Sequence, residues 1–496
     1  MANELEALRD LVSSSVSKVL DVCERTNKDF PSLNKPVHPS EFSPEGIRNH
    51  PAVSEHITVA IAAATQLVAT LQNPLVNLWN SSFRFTLPVC LSIAEATNVA
   101  EIIRDNGPKG MHVDDIAAKS GVDPKKLERV LRFLATNHYF REVKEKTFAH
   151  NLLSSLLDTG KDMKDCFGPS KHANTSGFAA VAGLGADELL LAAAAFKDIM
   201  LDPATAFSEE VTDSGTQRAL NTKLPLWGYY ELPENRFRAD RFNLVMSGAN
   251  SMHPNAILAG FNWDEVQNGV LVDIGSGTGH VSLEIAKKFP DIQVVLEDRA
   301  SVIENAKIHW KEHLASHITD GKVHFIPFDF FDDQPPLPGP PDIFLLRWIL
   351  HDWPDKYAIH ILKKLRKAAI PGKTKLVIIE NLMSYACEPE EVPVKEVGAV
   401  TASSRPPPVP LLPNLGGANL LPYAIDIIVS TTLNAGERTV HGFIDLLEAS
   451  GWRFSHIRRE SENYMLWASI VAEPNVNYEH KAGRMVYVAR RCYSLF

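Results

Sequence analysis

Val272-Asp273-Ile274-Gly275-Ser276-Gly277-Thr278-Gly279-His280 stands between an apolar run and an amphipathic helical pattern, and the chain reads outward from it. Gly269 to Ile274 has the character of a buried strand, and Val281 to Phe289 that of the helix after it. Glycines at alternate positions remove the Cβ atoms that would hold a ligand off the backbone, and they permit positive φ. The helix N-terminus then offers free N–H groups to an anion. A dinucleotide fingerprint requires its third glycine at position 280, where this chain carries His280. Alternate glycines behind an acid, Asp273, suit S-adenosylmethionine instead, because its amino group needs a carboxylate and its carboxylate needs N–H donors.

From Gly269 onward the pattern is that of an open α/β sheet, with strands expected at 270–274, 292–297, 323–328, 342–348 and 375–380. Arg453 to Arg459 and Tyr464 to Val471, around the polar turn Glu460 to Asn463, predict a hairpin that closes a parallel sheet with an antiparallel edge strand. Ligands of such sheets bind at the C-terminal strand ends. After the first strand comes the glycine turn, Gly275 to Gly279. After the second stand Glu297 and Asp298, about 20 residues on, where a ribose-binding acid belongs; Asp298 is the choice and Glu297 its rival. After the third come Asp329 and Phe330, an acid and a ring suited to an adenine. After the fourth comes Arg347-Trp348-Ile349-Leu350-His351-Asp352-Trp353. His351 has the pKa range of a general base for an acceptor hydroxyl. Glu380 ends the fifth strand and Glu437 precedes the helix Thr439 to Ala449. Both are placed to hold one imidazole nitrogen so that the other accepts a proton. Read alone, Glu437 serves equally as a charge in the first turn of that helix. A sulfonium methyl is already activated, so alignment and a base suffice, and no metal motif is apparent.

The upstream half is helical. An amphipathic pattern (Leu5, Leu8, Val12, Val16, Leu20) and a Pro- and Ser-bearing connection fill 1–55. Residues 56–160 predict a compact unit with a helix, a Gly121 turn and a second helix from Pro124, followed by wing strands at Tyr139 to Val143 and Thr147 to Ala149. Lys125, Lys126, Arg129 and Arg132 line the polar side of that second helix, so DNA binding is weighed against a solvated face on a packing or dimerisation unit. Residues 161–265 continue as helices, including Asp187 to Met200 and Asn235 to Met246, and 474–496 form a polar tail. Tyr385 to Pro422, dense in proline, breaks the sheet pattern as either a disordered insertion or a lid.

At 496 residues, 45% hydrophobic and 22% charged, the composition is that of an ordinary soluble chain with two or three domains. A net charge of −10 disfavours nucleic acid and anionic membrane as partners. Five scattered cysteines without a C-x-x-C pair suit a reducing compartment. The absence of an apolar leader at Met1 to Asp10 adds to a cytoplasmic expectation. Ile57 to Leu71 and Leu189 to Phe196 are expected to be too short to span a bilayer.

Taken together, residues 55–473 resemble the class I S-adenosylmethionine-dependent O-methyltransferases of the plant caffeate and fungal polyketide type. The glycine turn is generic; His351-Asp352-Trp353 with Glu380 and Glu437-Arg438-Thr439 is specific. The resemblance implies a Rossmann-like seven-stranded sheet (266–473) behind a mostly helical winged-helix dimerisation domain, and an intertwined homodimer. It implies His351 as base flanked by Glu380 and Glu437, and cofactor binding through Asp273, Gly275, Ser276, Gly277, Asp298, Asp329, Phe330 and Arg347. Relatives often carry Lys at the Arg347 position. An aromatic acceptor would be lined by Phe242, Met246, Trp348, Asp352 and Asn434. A relative that has lost methyl transfer, and a winged-helix ligand sensor, are the other readings.

Overall fold

The computed structural model describes residues 3–43, 45–168, 170–249, 256–266, 268–388, 406–458 and 467–478. Helix α1 (Glu4–Thr26) opens on a capping box, with the Asn3 side chain and Glu6 exchanging bonds with the backbone, and stops at Asn27 in the left-handed region. Helix α2 (Pro51–Leu71) packs along it, Val19, Val22 and Cys23 meeting Val53 and Ile57. Farther along, Leu8 of α1 and Ala62 and Ala63 of α2 share a cluster with Leu411, Leu415 and Ala418. The second half of the Pro-rich segment is therefore ordered. Gln66 Nε2 donates to the Pro410 carbonyl at 2.9 Å, and Gly417 sits so close to Thr65 that a Cβ there would lie 2.5 Å from its hydroxyl oxygen. Of the two readings of 385–422, a disordered insertion or a lid, residues 406–422 do not fit disorder; most of the rest, 389–405, lies outside the described residues.

Helices α3 (Pro74–Ser82), α4 (Thr86–Ala96) and α5 (Val99–Ile103) follow. Nothing on α3 is buried; Leu75, Leu78, Trp79, and then Phe83 and Phe85, form an uncovered apolar face. The winged unit is as expected. Helix α6 (Val113–Ser120) ends at Gly121, φ 73°, and α7 (Pro124–Thr136) starts on the Asp123 cap with Leu127, Leu131 and Leu134 inward. Strands β2 (Arg141–Lys144) and β3 (Thr147–Ala149) form the wing, and β1 (Met111–His112), which sequence reading passed over, completes it in the order β1-β3-β2.

Helices α8 (Phe178–Ala186), α9 (Glu188–Leu201), α10 (Gly215–Leu220), α11 (Leu226–Tyr230), α12 (Arg236–Ala249) and α13 (Ala256–Ala259) lead to the sheet. Length does not separate α2 or the α8–α9 run from membrane spans, contrary to expectation: at 21 and 24 residues both are long and apolar enough by length and composition. α2 lies on α1 and the insertion, and the α8–α9 junction holds Glu188, buried, against Arg241.

The main sheet contains β4 (Val270–Ile274), β5 (Gln293–Asp298), β6 (Val323–Pro327), β7 (Ile343–Arg347), β8 (Lys375–Glu380), β11 (Trp452–Arg458) and β12 (Ala468–Pro474), in the order β11-β12-β8-β7-β4-β5-β6. The short strands β9 (Leu382–Met383) and β10 (Arg438–Thr439) pair separately. β12 is antiparallel to β8 and to β11. The antiparallel strand is thus one place in from the edge and the edge strand is β11, which corrects the expected order. Side chains account for it: β12 is apolar and nearly all buried, whereas β11 carries Arg453, His456 and Arg458, as suits an edge. One face is covered by α14 (His280–Lys288), α15 (Ala300–His313) and α16 (Ala315–Thr319), with Ile285, Ile303 and Trp310 inward. The other is covered by α17 (Asp355–Ala368) and α19 (Val440–Ser450) through Ile361, Leu365, Phe443 and Leu447. Helix α18 (Leu420–Leu433) joins the insertion to the loop that bears Glu437.

Candidate active site

The fully buried β4 delivers the glycine turn, in which Gly275, Gly277 and Gly279 have φ of 65°, 58° and 71°. A Cβ on Gly275 would lie 2.5 Å from Ile349 Cδ1, and one on Gly279 2.5 Å from Trp310 Nε1; at Gly277 the space is open and the φ alone favours glycine. The N–H groups of Gly275 and Ser276 donate to the Glu297 carbonyl (2.9 and 3.1 Å), and that of Gly277 to Asp298 Oδ2 (2.8 Å). Three donors expected to face a ligand are thus bonded to β5. Asp298 also accepts from Arg299 N at 2.7 Å. Burial raises its pKa, and the two backbone donors oppose the rise. Its carboxylate is the one that reaches the turn, with lone pairs left for a diol. Glu297, the rival, is hydrogen-bonded to Gln334 instead.

Asp273 is 3% exposed, and one of its oxygens accepts from the Ser282 hydroxyl, which fastens the turn to α14. Burial pushes its pKa up to about 7. Asp329 is exposed and caps Phe331 N at 3.0 Å. Phe330 borders the turn, a ring carbon 3.7 Å from where a Gly275 Cβ would be. Arg347, at the end of β7, is the most distinctive group. Its guanidinium lies against both the Trp348 and Trp467 rings (4.6 and 4.4 Å to the centroids), which meet edge to face at 88°, and Nε and Nη2 have no partner. Among the described residues no carboxylate lies within ion-pair distance of it. A buried cation without a counter-ion fits an anionic ligand group. The unpartnered Ser276 hydroxyl, the cradle at Gly275 and the Asp298 carboxylate fit the rest of an S-adenosyl amino acid.

Beyond β7, Trp348 adopts φ 53°, an uncommon conformation for a bulky residue, and stacks on His351 at 6.0 Å and 28°. His351 is buried. Its Nδ1 is 2.8 Å from Glu437 Oε1 and its Nε2 3.4 Å from Asp352 Oδ1. Glu437 is fixed in turn: Asn381 Nδ2 donates to the same oxygen at 2.7 Å, and its own N–H donates to Asp426 at 2.8 Å. Burial lowers the His351 pKa, but Asp352 and Glu437 outweigh it and raise it to about 10. Glu380 does not grip the ring, contrary to expectation. Its Oε1 accepts the N–H groups of Ile349 (3.2 Å), Leu350 (2.6 Å) and His351 (3.2 Å), so it holds the turn that carries the imidazole. Arg438 holds the turn from the other side, donating to the Leu350 and Trp353 carbonyls at 2.7 Å and to Asp355 at 2.9 Å. Asn381 and Arg438 were not assigned roles from sequence; their one signal was adjacency to Glu380 and Glu437.

The acceptor residues are less tightly gathered. Phe242 packs on Trp227 and Tyr230 (5.3 and 5.8 Å between centroids), and Met246 on the Ala180, Leu184 and Val245 cluster. Asn434 has φ 54° and donates to the Ser208 and Glu210 carbonyls at 2.9 and 3.0 Å, so its amide pins a neighbouring loop rather than standing free for a substrate. On the winged helix, Arg132 is engaged by Glu128 and Glu142, both at 2.9 Å, which takes one cation from the face considered for DNA.

Known proteins carry the same plan. Residues 79–160 match the family model for an O-methyltransferase dimerisation domain, and 210–400 that for an O-methyltransferase domain. An O-methyltransferase of Armillaria gallica is 37% identical over 462 residues, 92% of this chain and 96% of that one. A 4-O-methyltransferase of Phanerochaete chrysosporium is 36% identical over 479 residues, 96% and 100% of the two chains. Among solved structures, LepI in complex with SAM aligns with a TM-score of 0.63 over 94% of this chain and 99% of that one; at 15% identity this is a likeness of fold.

Proposed function

Because the chain belongs to the S-adenosylmethionine-dependent O-methyltransferases of the fungal and bacterial secondary-metabolism type, we propose that it methylates a phenolic hydroxyl of a small aromatic acceptor, with His351 as general base. The cofactor, when bound, supplies an electrophilic methyl on sulfur. Arg347 would meet its carboxylate, Asp298 its ribose and Phe330 its adenine.

The observation that carries the reading is the His351 pair of contacts. Glu437 holds Nδ1, so in the neutral ring the proton sits there and Nε2 is the accepting nitrogen. His351 Nε2 would take the proton of an acceptor O–H placed beside it, leaving that oxygen as the nucleophile toward the methyl that the bound cofactor would supply. Asp352, beside Nε2, stabilises the imidazolium so formed. Trp348 offers a flat wall over the base, and Phe242 and Met246 supply apolar surface for an aromatic ring. The name of the Phanerochaete chrysosporium relative, a 4-O-methyltransferase, supports a hydroxyl acceptor. The dimerisation domain supports a homodimer, for which the uncovered α3 face is the natural contact. On this reading the enzyme acts on a small molecule in the cytoplasm, with neither nucleic acid nor membrane as a partner.

Incubation with methyl-labelled S-adenosylmethionine and a panel of small phenols tests this. Label appearing as an aryl methyl ether supports it. Cofactor binding without transfer to any phenol sinks the acceptor assignment.

A further inference from the structure

Arg347 raises a question that the rest of the site leaves open. The Arg347 guanidinium lies against two mutually perpendicular indole rings, and no hydrogen bond from Nε or Nη2 fixes its direction, so something must aim it. The N–H groups of Gly275, Ser276 and Gly277 are already bonded to β5, so these three donors do not serve the ligand carboxylate in this arrangement. Among the described residues, the hydrogen-bond neighbour of Arg347 Nη1 is His280 Nε2, at 3.5 Å. On the other side of that ring, Nδ1 faces the Thr278 hydroxyl, also at 3.5 Å. Such contacts are often long before a ligand tightens them.

From this chain of contacts we propose that His280 is a positioning residue: as a neutral acceptor it turns Arg347 so that Nε and Nη2 face the carboxylate of the amino-acid part of the cofactor. The chemistry is consistent along the chain. Arg347 can only donate, so Nε2 must accept and the ring proton lies on Nδ1, toward the Thr278 oxygen. Burial and the neighbouring Arg347 charge push the His280 pKa down to about 3, so the ring is neutral at any working pH. A carboxylate in this place would lock Arg347 by an ion pair and leave it no net charge for a ligand. A neutral acceptor orients it and leaves the charge available. The residue that breaks the dinucleotide fingerprint thus has a use of its own. The idea rests on the S-adenosylmethionine reading of the site.

Its test is calorimetric binding of two nucleosides, S-adenosylhomocysteine, which has the carboxylate, and methylthioadenosine, which lacks the amino-acid part. His280→Ala is expected to weaken S-adenosylhomocysteine about tenfold or more, as for losing a bond that orients a charged group, and to leave methylthioadenosine within about twofold. His280→Gln, whose amide oxygen can accept where Nε2 did, is expected to recover most of the loss. An equal loss for both nucleosides, or no loss for either, overturns the positioning role. Thermal unfolding of each variant separates a fold defect from a local one, and if His280→Ala does not fold, a His280→Gln protein that binds both nucleosides less well overturns it too. Wild type that binds neither nucleoside overturns the cofactor reading itself, and the role of His280 with it.

Discussion

Replacing Glu380 separates support of the turn from support of the ring. Its carboxylate is wholly buried, 0% exposed, and one oxygen receives three backbone N–H groups, from Ile349, Leu350 and His351. Glu380→Ala leaves those donors buried and unpaired, at about 1–3 kcal/mol each and so about 3–9 kcal/mol together. That is comparable to the whole stability of a domain, about 5–15 kcal/mol. Glu380→Gln keeps an oxygen in place but loses the charge, which roughly halves such bonds, so a loss of about 1–3 kcal/mol is expected. Denaturant unfolding reads both values, and the pH profile of methyl transfer reads the rest. Glu437 still holds Nδ1 in Glu380→Gln, so the alkaline-going limb should move less than in Glu437→Gln, while the maximal rate falls as the turn loosens. The reasoning is refuted if Glu380→Ala costs less than about 1 kcal/mol, or if Glu380→Gln moves the limb as far as Glu437→Gln does.

A base works only when deprotonated, and Asp352 and Glu437 raise the His351 pKa to about 10. Wild-type kcat/KM for the acceptor should therefore still be rising with pH above about 6.5, the ordinary histidine value, and Glu437→Gln should shift the limb to lower pH; a wild-type plateau already reached in the ordinary range speaks against the geometry. Gly279→Ala combines φ 71° with a Cβ 2.5 Å from Trp310 Nε1 and 2.6 Å from Leu296 Cδ1. A cost of about 2–5 kcal/mol is expected from left-handed strain plus overpacking, read as a lowered Tm; an unchanged Tm counts against the tight turn. Leu78 and Trp79 are 63% and 59% exposed. Changing both to Glu should turn a dimer into a monomer by light scattering, whereas a persistent dimer would place the interface elsewhere.

Local patterns were legible in the sequence and long-range ones were not. Strand β8 was read to the residue, and Pro124 marked the start of α7, because periodicity and capping are local signals. His351 and Glu437 were read as partners and are bonded, and Asp352 and Trp348, read as acceptor-side residues, also lie against the imidazole. Glu380 was read at the correct strand end but with the wrong partner, since nothing in its own neighbourhood says whether it meets a ring or a backbone. The inner position of β12 depends on competition between two strands for the sheet edge, which neither strand shows alone. Docking of the Pro-rich segment on α1 and α2 joins residues such as Gln66 and Pro410, 344 apart, and composition carries no trace of it. The glycine turn was legible as a candidate ligand site, but the bonds of its N–H groups to β5 and the unpaired Nε and Nη2 of Arg347 depend on long-range packing and were not.

The most direct measurement compares wild type with His351→Ala on two phenols of similar shape, one protonated at the assay pH and one acidic enough to be ionised already. A general base matters only for the first. Loss of about a hundredfold or more on the protonated phenol, with a much smaller loss on the ionised one, is the expected result. Equal losses on both would make His351 a positioning group, and no loss on either would remove it from the reaction.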